Sequence, residues 1–305
     1  PETVALSGGS RVQFMASGTG RKVKVENIFI DSPKLSVRKG ADQLIPESGL
    51  TIKGSSEFVM DDSGGLVNVN KPDFSYQSWL GSGTVQAETV DAAKGHVNAL
   101  AFAGKTDLAK LAELLGGLEI LPADMTFSGV ENSSLKMDYT PEKIDLESQH
   151  TEIKDFVLTQ EGKTYRDKKL VIDASGTIDM VNKGVAFSPL HIDSANGAVS
   201  FEQLVVGDWE SLIDTLTSAG QARFDLTTLF GAVADWFSLP PDVSAAAMVD
   251  LNWSAEARKG EEHSYRFAAD LDKFSLGKAG VQAFNGEKAA LQIDGLRNPA
   301  NGSLT

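Results

Sequence analysis

Along most of this chain, apolar residues fall at every second position. Leu135, Met137 and Tyr139 alternate with polar neighbours, as do Val249, Leu251, Trp253 and Ala255, and Tyr265, Phe267, Ala269 and Leu271. Val199 with Phe201, and Val23 with Val25, repeat the spacing in shorter runs. Successive side chains of a strand point to opposite faces, so the pattern predicts strands with one apolar and one wet face. Antiparallel sheets covered on one side have this character. Clusters of Gly, Asn, Asp and Ser at 61–65 (DDSGG), 173–176 (DASG) and 194–197 (SANG) read as turns.

Two stretches switch to helical spacing. In Asp107–Gly117, Leu108, Leu111, Leu114 and Leu115 share one helix face, with Thr106 or Asp107 as the cap and Gly116–Gly117 as the stop. In Asp225–Phe237, Leu226, Leu229, Phe230, Val233 and Phe237 do the same, and Pro240–Pro241 ends the helix. A third short helix is expected at Trp209–Thr217.

These helices belong to a repeat. At an offset of 118 residues, Asp107, Leu108 and Leu111 fall on Asp225, Leu226 and Leu229, and Leu121-Pro122 falls on Leu239-Pro240. Farther on, Leu135 meets Trp253, Ile153 meets Leu271, and Phe156 and Leu158 meet Phe274 and Leu276. Each unit reads as a helix, a Leu-Pro break and several antiparallel strands. Repeats that stack on one another bury a continuous core. The expected division is an N-terminal β region at 1–104, a first repeat at 105–222 and a second at 223–305.

Composition narrows the function classes. The chain has 305 residues and a formal net charge of −14. Such a surface repels nucleic-acid backbones and anionic membranes. There are no cysteines, which excludes disulfides, thiol nucleophiles and Cys-based zinc sites. No apolar run is long enough for a membrane-spanning helix. With neither a signal peptide nor a clear cap at the ends, the sequence reads as a fragment of something longer.

No catalytic or metal-binding residues stand out. His96, His150, His191 and His263 lack partners at metal-ligand spacing. Asp61-Asp62 precedes Ser63-Gly64-Gly65, but the full calcium loop is missing, so a tight turn is expected there. GxSxG is absent, and Gly18 and Gly20 open no helix. No cofactor is predicted. Met137, Tyr139, Trp253, Tyr265 and Phe267 lie on apolar strand faces, and the short helices cannot cover so much sheet. Either two sheets face each other, or one curved sheet wraps an apolar groove.

The segments DLAKLAELLGGLEILPADMTFSG at 107–129 and DLTTLFGAVADWFSLPPDVSAAAMVDLNWSAEA at 225–257 resemble the AsmA-like family of bacterial envelope proteins, including its TamB-type members. The phrase AADLDKFSLGKAG at 268–280 is in the same style, although Pro240-Pro241 and AAAM at 245–248 replace MTFS. The resemblance implies a mostly β fold, a long curved antiparallel sheet forming an open trough of repeated modules, with a few short α-helices. It also implies a periplasmic location, an inner-membrane anchor outside this segment, and phospholipid acyl chains as partners. Leu135, Met137, Tyr139, Leu251, Trp253 and Phe267 are then the candidate lipid-groove residues. The alternative is a structural or adhesive β-repeat scaffold with a sealed core.

Overall fold

The computed structural model describes residues 4–40, 42–233, 243–257, 262–278 and 281–298. The chain is mostly strand, and the seventeen strands among the described residues belong to one antiparallel sheet. It divides into two compact units, residues 1–153 and 154–305.

The first unit holds β1 (Val4–Ser7), β2 (Arg11–Thr19), β3 (Lys22–Lys39), β4 (Asp42–Met60), β5 (Leu66–Gln77), β6 (Gly81–Gln86), β7 (Thr89–Asp91), β8 (His96–Asp107) and β9 (Thr126–Tyr139), with α1 (Leu108–Gly117) between the last two. Neighbours in sequence are mostly neighbours in space. β2 and β1 pair with opposite halves of β3, and β6 and β7 share the gap between β5 and β8. β10 (Lys143–Gln160) passes into the second unit. There β11 (Lys163–Asp179), β12 (Gly184–Ser194), β13 (Gly197–Val206), β14 (Leu216–Asp225), β15 (Val243–Glu256), β16 (His263–Lys278) and β17 (Val281–Arg297) pair in strict chain order.

Turn chemistry explains the hairpins. At the β4–β5 turn, Asp61 Oδ1 accepts from the Ser63 amide at 2.8 Å, the Ser63 hydroxyl at 2.7 Å and the Gly65 amide at 2.8 Å. These donors, the Ser63 hydroxyl foremost, hold the Asp61 carboxyl below its ordinary range. The tight turn expected at DDSGG is therefore present, as is the one at SANG. The turn expected at DASG is not, because Asp173–Gly176 runs inside β11. Its glycine instead marks a bulge between Ala174 and Gly176, with φ of 155° and the backbone of Ala186 so close that no Cβ fits.

The helices follow the sequence with two corrections. Asp107 caps α1, accepting from the amides of Ala109 and Lys110. Gly116 and Gly117 remain helical, and the stop is Glu119, whose φ is 60°. Its amide donates to Gly116 O and that of Ile120 to Leu115 O, both at 2.9 Å, which closes a Schellman motif around a non-glycine residue. The helix expected at Trp209–Thr217 is a 3₁₀ turn at Trp209–Ser211 followed by the single turn α2 (Leu212–Thr215), and Leu216 already begins β14. α3 (Leu226–Val233) begins where expected, beside Asp225, which accepts from the Thr227 amide at 2.8 Å. Phe237, Leu239, Pro240 and Pro241 lie outside the described residues.

Element boundaries recur at the 118-residue offset. α1 and α3 begin at Leu108 and Leu226; β9, β10 and β11 end at Tyr139, Gln160 and Asp179, against Glu256, Lys278 and Arg297 for β15, β16 and β17. Backbone strain recurs in the same register. Asp155 within β10 and Lys273 within β16 have φ of 53° and 52°. The β16 residue sits where the pairing with β15 slips, between Ala246 and Met248. A left-handed conformation is tolerated by Lys or Asp but not by a β-branched side chain. Lys273→Val is thus expected to lower stability by about 1–2 kcal/mol in urea unfolding, and Asp155→Val by a similar amount, about the cost of one strained residue. Lys273→Gly should show no such loss.

Candidate functional site

Antiparallel pairing fixes which side chains share a face. In the first unit, the registers bring Ile28, Gly54, Phe74, Val85, Phe102 and Leu135 into one row across β3, β4, β5, β6, β8 and β9. Beside it runs a second row, Val23, Phe58, Val69, Val90, Val97 and Tyr139, passing through β7. Met137 lies between the two, opposite Leu100. The predicted residues Leu135, Met137 and Tyr139 therefore fall on one face that continues across the unit.

The second unit is built the same way. Ile172, Ile192, Val199, Ala222, Leu251, Ala269 and Leu291 form one row from β11 to β17. Ala174, Leu190, Phe201, Gly220, Trp253, Phe267 and Ile293 form the next. Leu251 and Trp253 thus occupy adjacent rows, and Phe267 stands directly opposite Trp253.

No Asp, Glu, Lys or Arg occurs in these rows. Several charged and polar groups pair on the reverse face: Asn70 donates to Glu57 at 2.9 Å, Gln86 to Asp73 at 3.0 Å, and Arg266 to Asp294 at 2.6 Å. On the apolar face of the first unit, Glu131 lies at the rim where β8 enters α1, opposite Thr106. Burial, and then the Glu131 charge, push the Tyr76 hydroxyl above its ordinary range.

The apolar face is covered only in part. All six candidate residues are half-buried. The buried apolar residues among those described are mostly small, including Ala112, Ala174, Ala222, Ala247 and Ala269, and no large side chain is fully enclosed. A sandwich core normally has several large side chains out of reach of solvent.

Glycines opposite aromatic residues are a feature that alternation alone did not reveal. Gly220 faces Trp253, and a Cβ there would lie 2.7 Å from the indole Cζ2. Gly54 faces Phe74 and would meet its Cδ1 at 2.5 Å; Gly83 stands opposite Tyr76, and Gly295 opposite Tyr265, in the same manner. Each ring lies down over the bare backbone of its neighbour instead of standing up from the sheet. Trp253 is held further by its Nε1–H, which donates to the buried Ser218 hydroxyl at 2.9 Å, and by an edge-on contact with Phe201 at 5.2 Å. The signal that could have revealed these seats was a glycine at an in-facing position of each alternating run.

Among the described residues no group of three or more His, Asp or Glu side chains could hold a metal ion. His191 Nδ1 lies 2.6 Å from Ser200 Oγ on the open reverse face, within a row of cross-strand polar pairs. No described helix is long and apolar enough to cross a membrane. Comparison with family models, with curated proteins and with solved structures finds no match to this chain.

Filling an aromatic seat should be harmful where filling an open glycine is not. Gly220→Val is expected to lower stability by about 1–3 kcal/mol, the usual range for overpacking. Gly116 in α1 has nothing near its missing Cβ. Gly116→Ala should therefore raise stability by roughly 0.5–1 kcal/mol. Urea unfolding of the two variants checks both signs.

Proposed function

We propose that the apolar rows receive lipid acyl chains, and that this chain is a non-catalytic, lipid-conducting β-groove segment of a larger bacterial envelope protein. Its work would be phospholipid transport between inner and outer membranes, or outer-membrane biogenesis. The carrying observation is the set of uncharged rows, half-buried at all six candidate residues, that run from β3 to β9 in the first unit and from β11 to β17 in the second. A face of this size left partly open is ordinarily a binding surface. The resemblance of the 107–129 and 225–257 segments to AsmA-like proteins supports the envelope setting and an inner-membrane anchor elsewhere in the protein.

The mechanism needs no reacting group. Each CH₂ moved from water onto an apolar face contributes about 0.8 kcal/mol. Many shallow contacts then hold a tail without one dominant residue. Rings that lie over glycines leave a low relief, so a flexible chain meets few obstacles along a row. The polar reverse face keeps the sheet wetted on the other side. A scaffold with a sealed core is the competing reading, and the same experiment separates the two.

Wild-type protein is expected to crosslink a photoactivatable phospholipid through its acyl chain, and to carry lipid detectable by mass spectrometry after purification. Met137→Asp and Leu251→Arg should each reduce crosslinking at least about fivefold, since an unpaired charge against an apolar chain is unfavourable by more than 1 kcal/mol. Their unfolding midpoints should stay close to that of the wild type, because an open wall has room for the new group. Protein that captures no lipid, with variants that simply unfold, would establish the sealed scaffold instead.

A further inference from the structure

α1 does more in the first unit than connect β8 to β9. It packs on β9 and β8 and also on β4, three positions away across the sheet. Its start is pinned at the β5–β6 turn, where Lys110 Nζ donates to the Trp79 carbonyl at 2.9 Å and lies 5.7 Å from the centre of the Trp79 ring. Its end is held from the other side. There the strands β3 and β4 run on beyond β5, because Thr51 is the last β4 residue paired with β5, at Gln77. The resulting β3–β4 arm carries Leu44, only 4% exposed, so tightly against Gly117 that a Cβ there would lie 2.5 Å from Leu44 Cδ2. Lys39 Nζ, at the end of β3, meets Glu119 Oε1 at 2.9 Å.

This second attachment differs from an ordinary hydrophobic contact. Glu119 is the left-handed residue that terminates the helix, and its carboxylate is 81% exposed while the Lys39 side chain is 16% exposed. The hydrogen bond from Lys39, followed by its charge, holds the Glu119 carboxyl below the usual range. The contacts seen here join Leu44 to Gly117 and Lys39 to Glu119, the latter a half-exposed ion pair. Contacts of this size open locally far more readily than a strand ladder. On the helix side, Leu108 and Ala112 are buried, and Leu111, Leu114 and Leu115 are half-buried.

We infer that α1 and the β3–β4 arm form a clasp over the rim of the first unit's apolar face, and that its opening admits acyl chains from the side. The inference rests on the lipid-groove reading for what passes, but the opening is a property of the protein alone. A chain entering here must displace either the arm or the helix. The arm is the side with the smaller attachment to α1, because α1 is continuous with β8 and has its own Asp107 cap.

The chain has no cysteine, so introduced thiols report without background. The thiol of a Leu44→Cys variant should react with a maleimide under native conditions at least about tenfold faster than global unfolding allows. Glu119→Gln, added to that variant, should speed labelling about two- to fivefold. Labelling only at the global unfolding rate would show that the arm does not open and would overturn the clasp, whether or not the protein binds lipid. A Leu44→Cys/Gly117→Cys pair places one thiol on each side of this contact. Oxidised, it should take up a fluorescent fatty acid at least about tenfold more slowly than when reduced. Equal uptake rates in the two states, with the disulfide verified by mass, would also overturn it. A thiol that labels rapidly in a protein that never takes up the fatty acid would leave the clasp standing and remove the lipid reading beneath it.

Discussion

The backbone ladder of an antiparallel sheet is the constraint from which the other features of this protein follow. Once two strands are in register, residues opposite each other share a face, and every next residue takes the other face. A slip of one position would turn the uncharged rows outward and bring Glu57, Asp73 and Arg266 inward. The paired polar groups on the reverse face, such as Asn70 with Glu57 and Arg266 with Asp294, therefore guard the register of the apolar rows as much as they solvate the sheet. Where the ladder does slip, at Asn27, Lys71, Ala99 and Lys273, left-handed residues lie within the strands. The registers of Ile28, Phe74 and Leu100 show the apolar face resuming after the first three.

Much of this was legible because alternation is a local signal. Leu135, Met137 and Tyr139 needed no tertiary knowledge to be placed on one face, and neither did Leu251 and Trp253. The pairing of Phe267 with Trp253 did need a partner strand, yet it follows from the short hairpin between their two runs. What could not be read were features decided by a neighbour's backbone. Gly176 looked like turn punctuation because DASG has turn composition, but the carbonyl of Ala186 is what requires a glycine there. Gly116 and Gly117 looked like a helix stop. The real stop is Glu119, whose side chain meets Lys39, eighty residues earlier on β3. The seats of Trp253 and Phe74 over glycines were hidden for the same reason, since the glycine and its ring are never adjacent in sequence.

The distribution of residue sizes bears on how the sheet keeps its apolar face without a conventional core. Most large side chains there are half-buried or exposed, and many buried positions go to alanine and serine, such as Ala222, Ser218 and Ser56. Rings lying over glycine bury area against backbone, which needs no opposing layer. This offers stability that is spread along the strands instead of concentrated at a centre. Loss of one contact, at Trp253 for example, is then felt by its two neighbouring strands and little beyond, as in proteins whose units touch only the next unit.

The recurrence of element boundaries at 118 residues also says something about how such a chain changes over evolutionary time. From α1 to the start of α3 one period holds six strands, β9 to β14. At 4.7–4.9 Å per strand, duplicating or deleting one period alters the width of sheet by roughly 29 Å. Size is then inherited in steps and not by gradual insertion, because a partial period would leave a helix without its strand partners. A lineage that gained or lost a single copy would therefore meet an abrupt change in the width of its sheet.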